Sequence, residues 1–62
     1  MTIADAAEML DLELGALQKI MVEHDLLDAD YVATENAVLS GFMKPEGILT
    51  KRGISFLITM IL

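Results

Sequence analysis

The chain has no cysteine and no tryptophan, one proline, one histidine and only four cationic side chains in 62 residues. Each scarcity removes a class of explanation. Without cysteine there is no disulfide to close a small loop-rich fold and no thiolate to hold a structural metal. One imidazole does not make a zinc site, and the carboxylates lack the alternating Asp/Asn spacing with a central Gly that a calcium loop needs. Nucleophile–base chemistry needs partners gathered around a cleft. His24 instead lies between Glu23 and Asp25 at an expected helix end, where it reads as a residue at the negative end of the helix dipole. There is no glycine-rich phosphate loop. The expectation is a protein that is not an enzyme and carries no metal and no cofactor. No run approaches the ~18 apolar residues of a membrane span, and no basic start precedes an apolar stretch as in a signal peptide. A cytoplasmic address without membrane contact follows as an expectation.

What is present is aliphatic. The chain is 55% hydrophobic but only 5% aromatic. Its length predicts a single domain, residues 1–62, which buries only about 60% of the surface exposed when unfolded. No repeat or low-complexity segment is visible. The net charge of −6 is uneven. Residues 1–28 carry Asp5, Glu8, Asp11, Glu13, Glu23, Asp25 and Asp28 against Lys19 alone, whereas in residues 29–62 acids and bases balance.

Thr2, with Asp5 three residues on, resembles a capping box, and Ile3, Ala6, Ala7 and Leu10 follow at helical spacing. A first helix is predicted over about 3–10. Leu14, Leu17, Ile20 and Met21 predict a second over about 13–24. Gly15 is expected to allow its close approach to the first helix, and Leu26 and Leu27 should plug the core after the turn. Asp30 as cap, with Tyr31, Thr34 or Glu35, Val38 and Leu39 on one face, predicts a third helix over about 31–39, stopped by Gly41. Phe42–Lys44 and Ile48–Thr50 read as arms of a small hairpin around Pro45-Glu46-Gly47. Thr50 then caps a last helix, apolar nearly all round, with Lys51, Arg52 and Gly53 in its first turn. The fold class expected is mainly α with a small β-hairpin, a winged helix-turn-helix-like single domain.

In a helix-turn-helix the second helix reads DNA. Here Glu13, Ala16, Gln18, Lys19, Val22 and Glu23 are expected to face outward, and only Gln18 and Lys19 could address base edges. Lys44, Lys51 and Arg52 could touch a DNA backbone from the wing. Phosphate neutralisation supplies most non-specific DNA affinity, so an acidic reading half disfavours DNA. The apolar pattern sets the fold, and the charge sets the partner. An acidic reading half favours a protein partner, with Glu13, Glu23 and Asp25 on the contact face. The last helix adds a second expectation: one face covers the monomer core through Phe56 or Leu57 with Met60 and Ile61. Ile54, Ile58 and Leu62 then form a free stripe that predicts a homodimer.

"TIADAAEML", "LGALQKIMVEHDLL", "YVATENAVLSGFM" and "LTKRGISFLITMI" follow one another in an order that resembles the C-terminal domain of KilA-type phage antirepressors. The resemblance covers nearly the whole chain and includes the T-x-x-G start of the final helix at Thr50 and Gly53. It implies a phage or prophage protein of transcription regulation that engages another protein, a repressor or a host regulator. The readings expected are therefore, first, an antirepressor-like interaction module. The second is a sequence-specific DNA-binding regulator, and the third an acidic inhibitor that imitates DNA.

Overall fold

The computed structural model describes residues 1–61; Leu62 lies outside the described residues. Four helices follow in order: α1 (Ile3–Met9), α2 (Leu14–Glu23), α3 (Glu35–Leu39) and α4 (Lys51–Ile61). About 54% of the chain is helical and there is little strand, so this is a small helical globule.

The helix starts follow local chemistry. Thr2 Oγ1 accepts from Asp5 N at 3.1 Å while the Asp5 carboxylate accepts from Thr2 N at 3.4 Å, which completes the capping box of α1. The ends of α1, α2 and α3 share one device. Asp11, Asp25 and Gly41 follow the cap residues with φ of 58°, 61° and 78°. The next residue turns its N–H back to the helix: Leu12 to Ala7 O at 2.8 Å, Leu26 to Met21 O at 2.8 Å, Phe42 to Ala37 O at 2.9 Å. Each end is thus a Schellman motif, with an apolar residue pulled under the helix just left.

The chain from Asp25 to Leu39 repeats from Gly41 to Ser55, contrary to the expectation of no repeat. Leu26 and Phe42, Leu27 and Met43, Thr34 and Thr50 occupy matching places sixteen residues apart. In each unit a three-residue loop folds back on itself. Asp28 N donates to Val32 O at 2.9 Å and Lys44 N to Ile48 O at 2.8 Å. A single antiparallel bridge pairs Leu27 with Ala33 and Met43 with Leu49. The last loop residue takes a left-handed conformation, Tyr31 at φ 61° and Gly47 at φ 87°, as three-residue hairpin loops commonly do. Pro45 stiffens the second loop. In the first, the Asp28 carboxylate takes over, accepting from Asp30 N at 2.8 Å and Val32 N at 3.1 Å. The repeat escapes a composition-based reading because what recurs is backbone conformation and burial, while nearly every exposed side chain differs.

This unit corrects the third helix, which starts at Glu35 rather than near Tyr31. A left-handed Tyr31 cannot continue a helix, and Thr34, not Asp30, caps it, accepting from Ala37 N at 3.1 Å. The second hairpin has the expected arms but only one bridge. Its Leu49 also pairs with the chain start, donating to Met1 O at 2.7 Å and accepting from Met1 N at 3.2 Å.

The core joins both halves. Ala6 and Ala7 of α1, Leu17 and Met21 of α2, Leu26 and Leu27, Ala37, Met43, Leu49 and Leu57 are all buried. Leu26 and Leu27 plug it as expected. Other details differ. Leu14 is exposed and Val22 packs on the core, so the apolar stripe of α2 is turned from the one anticipated. Gly15 has no neighbour that a Cβ would meet, so it mediates no close approach. The close approach occurs at Gly53, where an added Cβ would collide with the Phe42 carbonyl oxygen.

Candidate interaction surface

No polar or charged side chain is buried among the described residues, so the candidate functional groups all lie on the surface. On α2 and its flanks, Glu13, Lys19, Glu23 and His24 are exposed, while Gln18 is half-buried. The helix that would enter a groove therefore offers one free cation between two carboxylates. Asp25 is exposed but engaged, its Oδ2 accepting from Asn36 Nδ2 at 2.7 Å. That bond ties the end of α2 to the start of α3.

The three cations of the second unit are not equivalent. Lys44 and Lys51 are exposed at the loop and at the start of α4. The Arg52 guanidinium lies 5.7 Å from the Phe42 ring centroid. Phe42 in turn stacks on Phe56 at 4.5 Å with the planes 12° apart. Arg52 thus caps an aromatic pair, with cation–π attraction holding it there. The stripe Ile54, Ile58 and Leu62 is corrected in part. Ile54 is half-buried and packs on the core alongside Phe56, Met60 and Ile61. Ile58 is half-buried, and Leu62 lies outside the described residues. The reason is that α4 presses into the fold at Gly53 and Leu57, which draws Ile54 in with them.

Two features escape the sequence reading. Tyr31 and Val32 project side by side from the first loop, each more than half exposed. Leu39, expected on a packed helical face, is 75% exposed. Aligning the two units would have found both, since Tyr31 stands where the second unit has Gly47 and Leu39 where it has Ser55. An apolar groove of about 370 Å³ runs between Met1, Leu49 and Ile54, with Lys51 and Ser55 on its border. Among the described residues no helix is long and apolar enough to cross a membrane. Searches of protein-family models, curated proteins and solved structures find no match for this chain.

Proposed function

We propose that the chain is a regulatory interaction module that works by binding another protein, with the Tyr31–Val32 loop as its principal contact. The observation that carries this reading is the conformation of Tyr31. A bulky residue at φ 61° is strained, and the matching position of the second unit holds glycine. Glycine in the first loop would relieve that strain. Retaining a strained, 55% exposed aromatic there makes sense if the ring is used. Tyrosine is enriched among the residues that dominate protein–protein binding energy.

The surroundings suit a protein better than a nucleic acid. Asp28 and Asp30 precede Tyr31 in its loop, and Glu13 and Glu23 bound the helix that carries Lys19; a phosphate backbone would meet all four unfavourably. A partner with basic residues around an apolar pocket fits this surface. The resemblance to KilA-type antirepressors supports placing that partner among repressors or host regulators, in a phage or prophage setting.

The test is affinity capture from phage and host lysate with wild type and Tyr31→Gly side by side. A specific protein retained by wild type and lost from the folded variant is the expected result. Equal retention by both, or no protein partner together with tight binding to one duplex sequence, overturns the proposal.

A further inference from the structure

We infer that the chain associates with a second copy of itself, the Glu35–Leu39 face of α3 in one copy seating on the Lys51–Ser55 groove of α4 in the other. The inference is separate from the Tyr31 contact and uses the opposite ends of the two repeated units.

The two faces are the same place in the repeat. Thr34 and Thr50 start the helices, so Glu35 corresponds to Lys51 and Leu39 to Ser55, sixteen residues on. Both pairs lie one turn apart on their helices, and all four residues are exposed. The shared fold does not require the substitutions that separate the units. They exchange an acid for a base and a large apolar side chain for a small polar one. One face is therefore an apolar knob with a carboxylate beside it. The other is an apolar groove, floored by Leu49 and Ile54 and edged by Met1, with an ammonium beside it. The chain carries both halves of a complementary pair, in charge and in shape. Leu39 is the most exposed large hydrophobic side chain among the described residues, and a seat of this kind removes it from water.

The contact is small. A standard interface buries about 800 Å² per partner, which is roughly a fifth of the 4009 Å² this chain exposes. Two short helical faces bury less, so the association is weak and dynamic, in the range where micromolar to millimolar protein is needed to see it. Because knob and groove are different surfaces, the contact is heterologous and closes into a ring or continues as a chain of copies.

Sedimentation equilibrium on the purified chain tests this up to about 1 mM. Wild type should show mass above the monomer that rises with concentration and falls with added salt, since an exposed ion pair is screened. Leu39→Ser should weaken association by about tenfold or more and leave the melting temperature unchanged. Glu35→Lys and Lys51→Glu should each be monomeric alone, and an equimolar mixture of the two should associate again, because each then offers the charge the other lacks. Circular dichroism confirms that each variant is folded. A wild type that stays monomeric, a Leu39→Ser variant that associates like wild type, or a charge-swapped mixture that does not recover, overturns the inference. None of these outcomes bears on capture of a foreign protein through Tyr31, so the two proposals fail separately.

Discussion

Thr34 and Thr50 make the same two hydrogen bonds in two different places of the fold. Thr34 Oγ1 donates to Asp25 O at 2.5 Å and accepts from Ala37 N at 3.1 Å. Thr50 Oγ1 donates to Gly41 O at 2.5 Å and accepts from Gly53 N at 3.1 Å. Each hydroxyl therefore does two tasks: it caps the helix it begins and ties down the left-handed residue that ended the previous helix. With both hydroxyls in place the path from helix to loop to helix is closed twice, sixteen residues apart.

Valine keeps the shape of threonine and removes both bonds. Thr34→Val and Thr50→Val should each destabilise by about 1–2 kcal/mol, a fall in melting temperature of about 4–8 °C for each kcal/mol in a domain of this size. Serine at either position should recover most of the loss. Thermal melts followed by circular dichroism check this; a valine variant as stable as the serine variant would show that the hydroxyls contribute nothing.

Gly53 and Gly15 are both helical glycines with opposite expectations. At Gly53 a methyl group collides with the Phe42 carbonyl oxygen and comes within 3.1 Å of Leu49 Cδ2. Backbone cannot yield as a side-chain tip does, so Gly53→Ala should cost about 1–3 kcal/mol and loosen the Arg52–Phe42–Phe56 stack. At Gly15 nothing stands within 4 Å, and alanine should stabilise α2 by about 0.5–1 kcal/mol. Urea titration of both variants reads the difference in sign.

These two glycines also show how far the sequence could be read. The existence of α1, α2 and α4 was legible because apolar spacing and caps at Thr2 and Thr50 are local signals. Leu26 and Leu27 were legible as core because they follow a helix end. Close approach was expected at Gly15 and occurs at Gly53 instead, because it is a tertiary property and neither glycine announces its neighbour. The start of α3 was misplaced because Tyr31 has no local reason to be left-handed; the loop imposes that conformation. The exposure of Glu13, Lys19 and Glu23 was legible from the helical spacing, but the shape of the surface was not. Tyr31 and Leu39 became visible only once the second unit supplied a template that holds glycine and serine there.

That template makes a prediction about the first loop. Ala29 corresponds to Pro45 and Tyr31 to Gly47. Ala29→Pro should stabilise by about 0.4–1 kcal/mol by restricting the unfolded chain. Tyr31→Gly should stabilise by about 1 kcal/mol by relieving the left-handed strain of an L-residue. If the ring is there for binding, the second variant gains stability and loses its partner, while the first gains stability and keeps it. A Tyr31→Gly variant less stable than wild type would mean that the ring is held by contacts that outweigh the strain, and the functional argument from strain would fail with it.

The last prediction concerns DNA. Lys19 is the one exposed cation on a helix bounded by Glu13 and Glu23, and each carboxylate opposes a phosphate nearby. Wild type should give no gel shift with mixed-sequence duplex even at low salt. Replacing both carboxylates, Glu13→Lys with Glu23→Lys, changes the charge of the helix by four units without touching a buried residue. If the acids are what excludes DNA, this variant should bind duplex weakly, and log K should fall with log salt at a slope of about −0.9 for each phosphate contacted. Glu13→Gln with Glu23→Gln should lie between, since removing repulsion adds no attraction. A wild type that shifts duplex as well as the lysine variant, with the same salt slope, would mean that another face binds DNA and that the acidity of α2 does not choose the partner.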